Sequence, residues 1–543
     1  MSDAVVGSIS QARPTPQKAS TANVPAPAVW KPRFNPWLIA ASVMFATFME
    51  VLDTSVANVA LPHIAGNLSA STDESTWVLT SYLVSNAIIL PATNWLGRYV
   101  GRQRFLIICI TIFTLSSALC GAATSLGMLL FARVLQGAGG GALQPIAQAV
   151  LLESFPLEKR GSAMAVYGMG IVVAPIIGPT LGGWITDNYS WRWIFYINVP
   201  IGILAALMTS YFVEDPPYIK DQRPGRIDYI GFGLMALGLA ALQIVFDKGQ
   251  EDDWFSSSFI VRATILAVIA LAGFIIWELR SKEPIVNLRV LANRNFAVGT
   301  ALIAAMGMVL YGTTALLPLF LQTLLGYPAL ESGMAVSPRG IGAVISMIVV
   351  GRLVGKIDGR YLIMFGFGLV GFSTYLLADI NLQISVGSIV WPQVLSGLAI
   401  GFVFVPLTVM ATGTLTNEQL GNASGIFNLM RNIGGSFGIA AVTTMLARGT
   451  QVHQAAMVHH LTPYDPVFQQ RLQEMTGALA ARGDPMTATQ QAYGTIYQAL
   501  VGQATLLAFI DNFRLLAFLC LLCVPAALLF RKVKAGRQPP AMH

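Results

Sequence analysis

The chain has 543 residues, of which 55% are hydrophobic and 11% charged, with a mean hydropathy of +0.63, whereas soluble domains average about a quarter charged. That balance excludes a soluble enzyme or binding module, and the length allows many passes at about 20 residues per membrane-crossing helix. The formal net charge of +7 is dispersed over connections and forms no continuous patch, so no nucleic-acid partner is expected.

Residues 1–35, rich in Ala, Pro, Ser and Thr, lack the basic start and apolar centre of a signal peptide and are expected to be a disordered tail. Fourteen apolar spans are then predicted, near 36–60, 77–97, 105–125, 128–150, 162–185, 192–213, 229–247, 260–279, 296–320, 332–353, 361–380, 391–412, 420–447 and 508–530. They group as a six-helix bundle over 36–213, two inserted helices with flanking loops over 214–295, a second six-helix bundle over 296–530, and a tail at 531–543. Basic residues such as Arg98/Arg102/Arg104, Lys220/Arg223/Arg226 and Arg531/Lys532/Lys534 fall in alternate connections, so the positive-inside rule puts both termini in the cytoplasm. The connection 448–507 lies outside, and its helix-start signals at Asp465-Pro466 and Thr487 predict amphipathic pieces around 465–481 and 487–507. His453, His459 and His460 cluster there without Cys or acidic ligands at fixed spacing, so no metal site is expected. Cys109, Cys120, Cys520 and Cys523 lie in apolar segments and read as packing thiols.

The two bundles resemble each other. "VLQGAGGG" at 134–141 meets "VLSGLAIG" at 394–401, and "EKRGSA" at 158–163 meets "EQLGNA" at 418–423, both at a spacing of 260 residues. "GRYVG" at 97–101 meets "GRLVG" at 351–355. Parallel six-helix halves with a substrate site between them are a transporter architecture.

Glu50 and Asp53 stand inside the first span. A carboxylate at membrane depth costs about 2.5–3.5 kcal/mol on insertion scales, so it faces protein or water and marks an ion or substrate pathway. Asp53 is the first candidate for a proton carrier, and Arg133, in the outer half of the fourth span, is a candidate partner. Glu50 lies one turn from Asp53 on the same helical face, where the two acids would titrate together or one would attract a cationic substrate. Tyr82 and Asn86 share a face of the second helix, as do Gln144 and Gln148 of the fourth; Asn428, Arg431 and Asn432 stand in the thirteenth, with Tyr311 and Arg339 in the ninth and tenth. These polar groups either line a substrate cavity or glue helices together. Gly178-Pro179 and Gly182-Gly183 leave one helix face almost without side chain, so a neighbour approaches closely. "GFGLVG" (366–371) and "GGSFG" (434–438) match enzyme patterns, but neither has the strand-turn-helix setting those patterns need. No Walker sequence is present, which leaves an ion gradient as the energy source, worth about 2.3 kcal/mol per charge per 100 mV.

"LDTSVANVALP" (52–62), "RVLQGAGGG" (133–141), "GPTLGG" (178–183) and, with Asn94 and Arg98 as departures, "NWLGRYVGRQR" (94–104) resemble motifs of the fourteen-helix drug:proton antiporters of the major facilitator superfamily, of the EmrB type. The resemblance implies an all-α integral membrane fold with fourteen transmembrane helices (6+2+6) in the bacterial inner membrane. It implies a secondary transporter, not an enzyme, exchanging protons for amphiphilic small molecules with no cofactor beyond the proton gradient. Arg133 is implied in proton coupling, Gly178, Pro179, Gly182 and Gly183 in the antiporter motif, and Arg98, Gly101 and Arg102 in the cytoplasmic loop motif. Implied partners are membrane lipids, a periplasmic adaptor that the 448–507 segment would dock, and an outer-membrane channel. The alternatives are a dedicated exporter of one endogenous metabolite and a non-transporting scaffold or sensor.

Overall fold

The computed structural model describes residues 32–215, 228–459, 461–481 and 485–531. The tail before residue 32, the basic connection at 216–227, His460 and the C-terminal tail from 532 lie outside the described residues. The first bundle comprises α1 (Pro36–Asn67), α2 (Thr72–Val100), α3 (Arg102–Gly121), α4 (Leu126–Gly140), α5 (Leu143–Ser154), α6 (Arg160–Asn188), α7 (Trp193–Tyr196) and α8 (Asn198–Phe212). The inserted pair is α9 (Tyr229–Lys248) and α10 (Ser258–Arg280). The second bundle comprises α11 (Arg294–Thr323), α12 (Ala329–Val336), α13 (Pro338–Leu353), α14 (Gly359–Leu376), α15 (Val386–Thr412), α16 (Asn417–Val458), α17 (Pro466–Ala480) and α18 (Pro485–Ala526).

A helix occupies each of the fourteen expected spans. Among the described residues, eleven helical segments are long and apolar enough to cross a membrane; α2, α14 and α16 are not among them. The reason lies in their composition. Asn86, Asn94 and Arg98 interrupt α2, Arg360 opens α14, and Asn428, Arg431, Asn432 and Arg448 interrupt α16. Three spans are also broken. The Gly139-Gly140-Gly141 run, with its high backbone entropy, separates α4 from α5. Ile197 alone separates the short α7 from α8. Pro338, which has no N–H to continue the helical ladder, separates α12 from α13 although Ser337 keeps helical dihedrals.

The segment 448–507 departs from expectation. The helix preceding it runs on to Val458, and the final helix already begins at Pro485, continuous with the last apolar span. Of the two pieces predicted, only α17 is separate; Asp465 caps it, accepting hydrogen bonds from the amides of Val467 and Phe468. Few residues between 448 and 458 or between 487 and 507 break a helix, so a change from apolar to polar composition ends the membrane pattern without ending the helix. Phe468, Leu472 and Ala492 give this hairpin a small core of its own.

The repeat is visible in backbone contacts. Gly137 and Gly141 press against the carbonyls of Tyr82 and Asn86 on α2; 260 residues later, Gly397 presses in the same way against the Arg339 carbonyl on α13, and Gly401 against the Ser346 hydroxyl and the Met347 amide. Gly101 and Gly355 end α2 and the α13 region with φ of +98° and +96°, a conformation that favours glycine. Between the halves, α6 packs along α13 and α2 along α16.

Candidate functional site

Asp53 on α1 and Arg133 on α4 form a buried ion pair of 2.6 Å, with side chains 1% and 0% exposed. The arginine therefore does not reach out to an interface. Asp53 is also the acceptor for Gln136 Nε2 at 2.8 Å and for Asn198 Nδ2 at 2.7 Å. Arg133 donates to Gln136 Oε1 at 2.8 Å and, through Nε, to the Val78 carbonyl at 3.0 Å. Its guanidinium lies 4.4 Å from the Tyr82 ring centroid and 5.6 Å from that of Phe195. A charge buried this deeply needs such paired and hydrogen-bonded surroundings.

Glu50 serves a separate network. Its Oε1 accepts from Tyr82 Oη at 3.1 Å and Asn86 Nδ2 at 3.3 Å, and its Oε2 from Gln144 Nε2 at 2.6 Å. The two acids share Tyr82, whose ring carries the Arg133 cation and whose hydroxyl binds Glu50. Gln144 then crosses to the other half, its Oε1 accepting from Arg431 Nη2. A second crossing runs from Asn428 Nδ2 to Gln148 Oε1 at 2.6 Å. Thus Glu50, Gln144 and Arg431 form one chain from α1 through α5 to α16.

Of the remaining candidates, Tyr311 lines a void of about 30 Å³ together with Arg431, Gly168, Met306, Ile400 and Phe404. That is space on the scale of one water molecule, so the halves are drawn together here. Arg339 is apart from this group: it donates to Thr313 Oγ1 at 2.9 Å and Thr314 Oγ1 at 2.7 Å. Gly178 and Gly182 face Ser55 and Val56 of α1, so the antiporter-motif glycines form a seam inside the first half, while Pro179 approaches Gly333 of the second half. Gly183 has only Val59 nearby. At the far end of α2, Arg102 pairs with buried Glu153, and Arg98 is half-buried. His453 meets Asp511 at 2.8 Å, and no cluster of metal-ligating side chains occurs among the described residues. The four cysteines are free and buried.

Gln136, Asn198 and Glu153 are the residues that sequence reasoning missed. Gln136 had a signal, being one turn from Arg133 on the same face; Asn198 had none, since a lone amide in an apolar span is common glue.

Two acids and an arginine buried between helices of a twofold-repeated bundle fit a carrier, and comparison decides the lineage. The profile described as Major Facilitator Superfamily matches residues 43–439. The chain belongs to this superfamily. The multidrug export protein EmrB of Escherichia coli (strain K12) is 39% identical over 472 residues, covering 87% of this chain and 90% of its own. The fatty acid resistance protein FarB of Neisseria gonorrhoeae is 38% identical over 461 residues, covering 84% and 90%. The solved proton:xylose symporter XylE has the same fold, with a TM-score of 0.57 at 13% identity, covering 89% of this chain and 94% of that one. This superfamily member is a multi-pass inner-membrane transporter and not an enzyme.

Proposed function

We propose that the protein exports amphiphilic small molecules in exchange for protons, with fourteen spanning helices and both termini in the cytoplasm. The observation that carries the reading is the buried Asp53–Arg133 pair with its amide donors Gln136 and Asn198. Protonating Asp53 removes the charge that holds the guanidinium, and deprotonation restores it. A pair that alternates in this way biases the two halves toward different openings. The Glu50–Gln144–Arg431 chain carries such a change from the first half to the second, because Glu50 shares Tyr82 with Arg133. The multidrug export name of the EmrB relative favours drug-like cargo and the fatty acid resistance name of the FarB relative favours apolar cargo, and the apolar lining around Arg431 suits an amphiphile. Substrate contacts are assigned to Tyr311, Arg431, Asn428 and Gln148, with Tyr82, Asn86 and Gln144 holding Glu50 beside them.

In inverted vesicles carrying a pH gradient, Asp53→Asn is expected to insert normally and to lose proton-driven accumulation of a lipophilic dye. Undiminished coupled transport by that variant removes Asp53 from the mechanism. The hairpin around α17 is assigned to docking a periplasmic adaptor that leads to an outer-membrane channel; Tyr464 and Val467, 94% and 75% exposed, offer the contact. Tyr464→Asp with Val467→Asp is expected to abolish co-purification of a co-expressed adaptor and leave vesicle transport intact. Unchanged co-purification rejects the assignment.

A further inference from the structure

The inserted pair α9–α10 has no counterpart in the twofold repeat, yet α9 packs on both α2 of the first half and α16 of the second. The two contacts differ in kind. Toward α2 they involve charge: buried Lys248 binds Thr76 Oγ1 and lies 5.5 Å from the Trp77 ring centroid. Glu251, three residues on in the inserted segment itself, pairs with Lys248 at 2.5 Å and moves with it, while Asp247 reaches α2 by lying against the Thr80 hydroxyl. Toward α16 they are neutral. Gln243 and Ser436 exchange two hydrogen bonds, of 3.0 and 3.2 Å. Trp254 Nε1 donates to Thr444 Oγ1 at 2.9 Å, and Phe246 meets Phe437 edge-on at 5.7 Å.

Separating buried charge from its partners is far more costly than exchanging one neutral hydrogen bond for another. Ser436, moreover, lies in the "GGSFG" run, whose glycines press α16 closely against α11 and so tie this stretch to the second half. We infer that the inserted pair rides with the first half, anchored through Lys248 and Asp247, and that its contacts at Ser436 and Thr444 are a latch that opens each time the halves rock. The inference rests on the alternating exchange proposed above. On this reading the extra helices cover the α2–α16 seam in one state and slide off α16 in the other.

The test uses the full chain in vesicles, where the buried native cysteines leave introduced thiols as the reactive pair. Oxidising Gln243→Cys with Ser436→Cys, or Trp254→Cys with Thr444→Cys as a second latch pair, is expected to drop dye transport to background, and reductant is expected to restore it. Oxidising Thr80→Cys with Asp247→Cys is expected to leave the rate of the same reduced sample unchanged. Spin labels provide a readout free of transport. Between positions 269 on α10 and 115 on α3, both exposed, the distance is expected to stay fixed when pH is changed with dye present, while that between 269 and 372 on α14 shifts. A cross-linked latch that still transports, or a 269–115 distance that moves while 269–372 stays fixed, overturns the inference. Active reduced variants leave the exchange reading standing whichever way the cross-links turn out.

Discussion

The two halves share a scaffold and differ in charge. In the first, Arg133 is matched by Asp53, whose carboxylate also accepts from the amides of Gln136 and Asn198; in the second, Arg339 and Arg431 donate to neutral oxygens of Thr313, Thr314 and Gln144. Yet the close α2–α4 contact made by Gly137 and Gly141 is repeated between α13 and α15 by Gly397 and Gly401. Duplicated packing has thus been kept where backbones touch, and side-chain chemistry has diverged where they do not. The first half holds the buried acids, and the second presents cations, one of which, Arg431, binds the first half through Gln144.

The largest expected effect separates the two arginines. Arg133→Met leaves Asp53 buried without its counter-ion and is expected to cost about 3–5 kcal/mol, seen as a lower midpoint in detergent thermal unfolding. Arg339→Met strands no carboxylate and gives up only bonds to two threonine hydroxyls, so it is expected to cost less, about 1.5–3 kcal/mol at most; equal losses for the two would erase the asymmetry. Next comes Gln144→Ala, which leaves Glu50 and Arg431 without the amide between them. A hydrogen bond to a charged group is worth about 1.5–3 kcal/mol, so a loss in that range is expected, together with faster labelling of a cysteine introduced at Phe404. Sharing of the scaffold is tested by Gly137→Ala and Gly397→Ala. Each drives a methyl into a carbonyl of the adjacent helix, and each is expected to cost about 1–3 kcal/mol by overpacking. Similar losses for both sharpen the comparison, and a loss confined to one half breaks it.

Much of this arrangement was legible in the sequence, for definable reasons. Glu50, Asp53 and Arg133 stood out because charge at membrane depth is expensive and therefore rare. The repeat was legible in its glycines because close backbone approach tolerates no other residue. Other features left weaker traces. That Tyr82 and Asn86 serve Glu50 depends on how α1, α2 and α5 are placed in three dimensions, which spacing along a single helix does not encode. The helical run past residue 448 was hidden because hydropathy reports where the apolar layer ends, while the helix persists as long as its backbone bonds do.

That persistence has a mechanical consequence. α16 and α18 are each 42 residues long, about 60 Å at 1.5 Å per residue, roughly twice the thickness of a hydrocarbon core. A rod of that length, held near Arg431 by its bond to Gln144 of the first half and joined to α18 toward its tip by His453–Asp511, works as a pointer. A tilt of a few degrees at the grip becomes a displacement of several ångströms at the tip, so anything seated on the hairpin would feel each turnover as a push.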